Sequence, residues 1–281
     1  MVEEYRKEYP VSVLCETLGV SLSGYYAWRK RPLCEHRRAD DVLADRIQEV
    51  YHACRQVYGS PRIYAELQAQ GISSSRKRVA RLMRGRGLSA RRPRHRTITT
   101  KSEPGARVAP NLLDQDFSAS CPNEKWTGDI TAVWTYEGWL YLAVVLDLFS
   151  RRVIGWAMAA TQDETLIETA LRMALLGRHP AAGLLFHSDR GSQYISDAYR
   201  AALANAGITV SMSRTGNCYD NAVTESFCGI LKGECVERSC FQTRREARQT
   251  IFEYVECFYN RVRRHSSLGY VSPVAYEQSM C

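Results

Sequence analysis

Three carboxylates, Asp129, Asp189 and Glu225, stand where they could share one piece of chemistry. Asp129 lies inside KWTGDITAVWTY, a stretch rich in Thr, Val, Ile and Trp that reads as a strand. Asp189 ends GLLFHSD, a short apolar run of the kind buried within a sheet. Glu225 falls in the first turn or so of a helix capped by Asp220 or Asn221. Singly, each has an ordinary explanation: an edge-strand charge, a turn residue, a carboxylate on a helix face. Together they would repel one another and resist burial unless a cation neutralised them. Hard oxygen ligands suit Mg²⁺ or Mn²⁺, and two such ions roughly 4 Å apart can clamp both sides of a phosphodiester displacement.

That convergence requires the first and fourth strands to be neighbours. The pattern from Glu124 onward reads βββαβαβα. A turn at Glu137-Gly138 leads to WLYLAVVLDLFS, and Ser150-Arg151 leads to RVIGWAMA, completing a three-strand meander. Thr161 and Glu164 form a capping-box signature for a helix with Leu166, Ile167, Ala170, Leu171 and Ala174 on one face. After the fourth strand, Ser196 to Ala206 reads as a helix closed by Gly207, and ITVSM as a last short strand. On the final helix Lys232 follows Glu225 by seven residues, two turns on and on the same face, where it would hold DNA or simply meet solvent. Asn221 either caps that helix or touches DNA. His187 and His265 are left outside the site, because two-metal phosphoryl transfer needs no histidine.

The charge is unevenly placed. Of the net +8, residues 1–110 carry 22 Lys/Arg against 11 Asp/Glu, and residues 111–281 carry 16 against 19. Val11–Arg31 reads as two short helices around Gly19-Val20, with Ser21 or Ser23 as a cap and Val11, Leu14, Cys15 and Leu18 as the apolar stripe. Asp41–Cys54 shows helical periodicity in Val42, Ile47, Val50 and Tyr51. Ser60-Pro61 opens another helix that Gly71 stops, and Ser74 or Ser75 caps a third that ends at Gly85 or Gly87. In this third helix Val79, Leu82 and Met83 face inward, leaving Arg76, Lys77, Arg81 and Arg84 outward. Between Ser73 and Arg107 stand 12 Lys/Arg and one acid, Glu103, a density that phosphate contact explains better than solvation does. Arg91–Pro110 has three prolines and no apolar periodicity, and reads as an extended basic linker.

At 281 residues and 45% hydrophobic, the chain can build one good-sized core and a smaller unit. No stretch approaches the ~18 apolar residues of a membrane span. MVEEYRKEYP is too charged for a signal peptide, so a cytoplasmic, nucleoid-associated protein is expected, with no membrane partner. Ten cysteines are scattered without zinc spacing or a C-x-x-C pair, and read as reduced thiols.

WTGDIT, HSDRGSQY, DNAVTESF and the tail YNRVRRHSSLGYVSP together resemble the DDE transposases of bacterial insertion sequences, in particular those encoded in a downstream reading frame. YGSPRIYAELQAQGISSSRKRVARLMRGRGL resembles the helix-turn-helix region of the same proteins. Asp189 and Glu225 have 35 residues between them, the spacing this group shares with retroviral integrases. The resemblance implies an α/β, RNase H-like core, a five-stranded mixed sheet with flanking helices, preceded by small all-α helix-turn-helix units. It divides the chain into a short helical segment (1–33), a basic helix-turn-helix region (34–92), a basic linker (93–118) and a catalytic domain with C-terminal helix and tail (119–281). It makes Asp129, Asp189 and Glu225 the catalytic, metal-binding triad of a two-metal polynucleotidyl transferase. Such an enzyme frees a 3′-OH at an element end and transfers it into target DNA. The implied partners are DNA, at least a second protomer, and an upstream-frame product. An RNase H-type nuclease and a transposase-derived DNA-binding repressor are the alternatives; the basic N-terminal region disfavours the first and the intact triad the second. Gly128 departs from the family, which usually has Thr before the first Asp, and is expected to loosen that strand locally.

Overall fold

Five strands supply the frame on which everything else is hung: β1 (Lys125–Thr135), β2 (Gly138–Asp147), β3 (Val153–Ala159), β4 (Leu185–Ser188) and β5 (Thr209–Met212). They form one mixed sheet in the order β3-β2-β1-β4-β5. The first three are an antiparallel meander, and β4 pairs parallel with both β1 and β5. The first and fourth strands are therefore neighbours, as convergence of the carboxylates demands. β2 is buried almost throughout, because it lies inside the sheet with both faces covered. The computed structural model describes residues 1–30, 34–90, 109–214 and 217–280. Most of the expected basic linker, with half of the arginine-rich run, lies outside them.

Preceding the sheet are α1 (Val2–Tyr5), α2 (Val11–Thr17), α3 (Leu22–Lys30), α4 (Glu35–Ala53), α5 (Ser60–Ala69) and α6 (Arg76–Gly85). Within and after it come α7 (Glu164–Arg178), α8 (Ser192–Ile195), α9 (Asp197–Asn205), α10 (Ala222–Glu234), α11 (Arg244–Phe252) and α12 (Pro273–Met280). On one face of the sheet, Leu166, Ile167, Ala170, Leu171 and Ala174 of α7 are buried together with Tyr194, Tyr199 and Leu203. On the other, Phe227, Leu231, Ile251 and Phe258 share a cluster with Ile47, Tyr58, Ile63 and Val79 of the basic half. The two halves of the chain thus bury one continuous core. No helix among the described residues is long and apolar enough to cross a membrane, and the described cysteines are free.

Several local expectations shift. The helix expected from Asp41 starts at Glu35, and Val42 is 70% exposed, so it does not join Ile47, Val50 and Tyr51 in the core. Ser60 does not cap α5; Gly59 holds that position and the proline sits in the first turn. The capping box at Thr161 is displaced by two residues. Asp163 accepts the Leu166 amide at 3.2 Å, and Thr161 donates its hydroxyl to Asp163. Asp163 directly precedes the helix and so reaches the open amide three residues on, whereas Thr161 stands two residues farther upstream. Ser75 caps α6 as expected, accepting from Arg78. The stretch after Ala109 is already part of the core, with the Leu112 and Leu113 amides donating to Ser211 Oγ of β5.

Helix α7 is pressed directly onto β3 at Gly155. A Cβ there would stand 2.2 Å from the Ala170 carbonyl oxygen and 2.9 Å from the Ala174 amide nitrogen. Backbone cannot swing aside as a side-chain end can. Gly155→Ala should therefore lower stability by about 1–3 kcal/mol, read as a fall in the urea midpoint. An unchanged midpoint would mean that α7 is not seated as described.

Candidate active site

The parallel register of β1 and β4 sets the level of the site. Lys125, Trp126 and Thr127 pair with Leu185, Phe186 and His187. Asp129 lies two residues beyond the last of these pairs and Asp189 one residue past the end of β4, and the two carboxylates are near enough for Asp189 to act on Asp129. At the strand end Asp189 Oδ1 accepts the Gly191 amide at 3.0 Å, bending the chain into α8.

The third carboxylate arrives on α10. Asn221, Glu225, Cys228 and Lys232 are spaced four, three and four residues apart and line one face of the helix. Asn221 Oδ1 accepts from Thr127 Oγ1 at 2.6 Å, and its Nδ2 donates to the Gly128 carbonyl at 3.3 Å. Thr224 Oγ1 lies 2.7 Å from Thr127 Oγ1. One turn later, Cys228 Sγ donates to Asp129 Oδ2 at 3.8 Å. Glu225 sits between these two contacts on the same stripe and is carried to the edge of β1. Asn221 is 4% exposed, so the DNA contact expected of it gives way to a structural role, pinning α10 to β1.

The electrostatics agree with convergence. Burial, then the negative charge of Asp189, push the Asp129 carboxyl up to about 7, and Glu225 adds to the effect. The Ile130 amide, donating to Oδ1 at 2.8 Å, and Lys232 act the other way without cancelling it. Lys232 thus stands close enough to act on the carboxylates. Among the described residues, no group of three His, Cys, Asp or Glu side chains stands in metal-holding geometry. The donor set still fits a hard divalent cation: carboxylate oxygens from three elements, two of which raise the proton affinity of the third.

Gly128, read as a loose point in β1, is a tight one. It stays in the ladder opposite Val145, and a Cβ there would stand 2.8 Å from Phe186 Cζ and 3.3 Å from the Tyr194 hydroxyl. Rings of β4 and α8 occupy the space a threonine would need. His187 is fully buried between Ser211 Oγ at 2.8 Å and Ser213 Oγ at 3.0 Å, and burial lowers its pKa to about 4. It is a neutral strut that ties β4 to Ser211 of β5 and to Ser213 just beyond it.

Sequence reasoning missed the role of Asp220. Fully buried, it accepts from Asn111, Gln115, Asn217 and both the backbone and guanidinium of Arg214. The Arg214 contacts, chief among these, hold its carboxyl well below the usual range. Asp220 gathers the approach to α10 into one fixed path. A buried acid just ahead of Asn221 was the available signal, but beside the local Arg214 and Asn217 its other partners, Asn111 and Gln115, lie about a hundred residues away.

In the basic half Arg76, Lys77, Arg81 and Arg84 are exposed. Two of them have other contacts. Arg81 donates to Asp40 Oδ2 at 2.6 Å beside Arg78, and the Arg76 guanidinium lies 5.4 Å from the Tyr64 ring centroid.

An RNase H-like sheet carrying three carboxylates, joined to a basic helix-turn-helix-like unit, defines the polynucleotidyl transferases of the integrase class. An integrase core domain family matches residues 119–218 and again 206–273, and an HTH-like domain family matches 38–96. The chain is 42% identical over 278 residues to the transposase InsF for insertion sequence IS3A of Escherichia coli, covering 98% of this chain and 96% of that one. It is 43% identical over 265 residues to an uncharacterized 31 kDa protein of insertion element IS600 from Shigella sonnei, covering 94% and 97%. Among solved structures, the HTLV-2 integrase catalytic core domain aligns with a TM-score of 0.45 at 14% identity, covering 57% of this chain and 99% of that chain. The chain belongs to the insertion-sequence transposases with an integrase core domain.

The raised Asp129 pKa has a consequence for stability. Folded, Asp129 keeps its proton to about pH 7; unfolded, it loses it near 3.8. The folded state binds the extra proton between those values, so stability falls as pH rises through that window. In metal-free buffer Asp129→Asn should melt higher than the wild type at about pH 8, and the gain should vanish below about pH 4. A melting-temperature difference independent of pH would remove Asp129 from the charge cluster.

Proposed function

We propose that this chain cuts DNA at the ends of its insertion sequence and joins the freed 3′-OH to a second DNA site. The observation that carries the reading is that Asp189, just past β4, and Glu225, on α10, both raise the pKa of Asp129 on the neighbouring strand β1. Mg²⁺ or Mn²⁺, up to two ions held by these three carboxylates, would stabilise charge on the scissile phosphate and lower the pKa of the attacking hydroxyl. The chain's own residues place the DNA. Lys232, on the stripe of α10 that carries Glu225, holds a phosphate beside the site by its charge. Arg76, Lys77 and Arg84 on α6 grip the duplex backbone, with Arg81 shared between DNA and Asp40. Each displacement breaks one P–O bond and forms another, so no covalent intermediate with the protein is required. Two element ends call for at least two protomers, and an upstream-frame product is the further partner of this reading.

Joined product distinguishes this reaction from that of an RNase H-type nuclease or a DNA-binding repressor. Incubated with duplexes carrying the element ends and Mg²⁺, the wild type should yield nicked ends and then joined strands. Asp129→Asn, Asp189→Asn and Glu225→Gln should each abolish both while binding the duplex as the wild type does. Near-normal cleavage by Asp189→Asn would overturn the assignment.

The α6 surface is tested through salt. Replacing Arg76, Lys77 and Arg84 by Ala in the full-length chain should lower the slope of log K against log salt by up to about 0.9 per lost phosphate contact. A slope equal to that of the wild type would place the DNA on another face.

A further inference from the structure

The C-terminal tail holds a set of buried charges that the reaction does not use. Glu234, the last residue of α10, accepts from Arg263 twice, Oε2 from Nε at 2.7 Å and Oε1 from a terminal nitrogen at 2.6 Å. The Arg263 side chain is 1% exposed. Tyr254 donates its hydroxyl to Glu234 Oε2 at 2.7 Å. From the basic half, Arg62 of α5 brings NH1 to 3.7 Å from Glu234 Oε1. An element that reads as part of the DNA-binding region therefore helps to surround a carboxylate at the end of the catalytic helix.

The next arginine faces the other way. Arg264 Nε donates to Glu66 Oε2 at 2.5 Å, and its NH1 donates to the Tyr270 carbonyl at 2.7 Å. Its amide donates to the Tyr58 hydroxyl at 2.7 Å, which in turn donates to the Val262 carbonyl at 3.3 Å. Arg62 and Glu66 are four residues apart on α5 and share a face; Tyr58, two residues ahead of α5, is fully buried. Farther along, Arg55 pairs with Glu253 and lies over the Phe258 ring at 5.3 Å. Two consecutive arginines thus face opposite sides of the junction, Arg263 toward α10 within its own half and Arg264 across to α5.

We propose that Glu234 is a positioning residue, and that the Arg62–Glu234–Arg263 and Arg264–Glu66 contacts lock the helix-turn-helix-like unit onto α10. Through this clamp, DNA gripped by α6 is presented to Asp129, Asp189 and Glu225 in one orientation. A largely buried carboxylate, 13% exposed and satisfied by several donors, one of them the buried Arg263, has few alternative geometries, and breaking that partner away is costly. The docking stands on the contacts themselves; its catalytic consequence rests on the transposase reading above.

The test uses the full-length chain. Glu66→Arg sets a third cation against Arg62 and Arg264 without touching the carboxylate site. It should lower kcat for end cleavage about tenfold, a loss of orientation rather than of chemistry, and leave KM for DNA within about twofold. Exchanging the pair, Glu66→Arg with Arg264→Glu, should recover most of the rate, which a simple packing role would not give. Urea unfolding supplies a readout that needs no activity. The wild type and the exchanged pair should unfold in one transition, and Glu66→Arg in two. Wild-type cleavage by Glu66→Arg with a single unshifted transition would overturn the proposal, as would failure of the exchange to restore either readout. Were the wild type to cleave no DNA at all, the transposition reading would fall and the unfolding curves alone would decide the docking.

Discussion

Parallel pairing of β1 with β4 is the constraint on which the site depends. These strands are separated in the chain by β2, β3 and α7, and their adjacency brings Asp189 near enough to act on Asp129. The pairing is close because Gly128 leaves room for Phe186 and Tyr194. Those rings come from β4 and α8, the segments that carry and follow Asp189. Packing beneath the site and register across it are therefore one arrangement, and a side chain at position 128 would disturb both.

Around that pair, neutral hydrogen bonds set the third carboxylate in place. Asn221 and Thr224 tie α10 to β1 through Thr127 and the Gly128 carbonyl, so Glu225 is held near Asp129 by neutral hydrogen bonds. Lys232 offsets only part of the repulsion. Asp220, by contrast, is an acid fully supplied with donors, and its carboxyl is held low. Neighbouring acids raise the proton affinity of Asp129, while the donors around Asp220 lower its own.

The halves of the chain differ in charge but not in core. Ile47, Tyr58, Ile63 and Val79 pack in the same cluster as Phe227, Leu231 and Phe258, and the tail arginines reach into both halves. A basic unit tethered only by a flexible linker could meet DNA at any angle. Joined through a dry interface, it has few orientations relative to the carboxylates.

The sequence by itself determined the strands, most of the helices, the three carboxylates and the basic helix. Each is written in local pattern: alternation in β1, the apolar run before Asp189, the caps at Ser75 and Ser196, the arginine density of α6. Hydrophobic period and turn chemistry act over a few residues, so they are legible without the fold. The exact cap was less legible: Asp163 and Gly59 hold the positions expected of Thr161 and Ser60. The structure alone decided that Asn221 is buried, that Gly128 is a point of close approach, that Asp220 ties the stretch 111–115 to 214–217, and that YNRVRRH joins α10 to α5. Each of these depends on partners far away in the chain, about a hundred residues for Asn221 and for the Asn111 and Gln115 contacts of Asp220, and about two hundred for Arg264. Burial and hydrogen bonding between such distant residues exist only once the chain has closed on itself, and no local pattern encodes them.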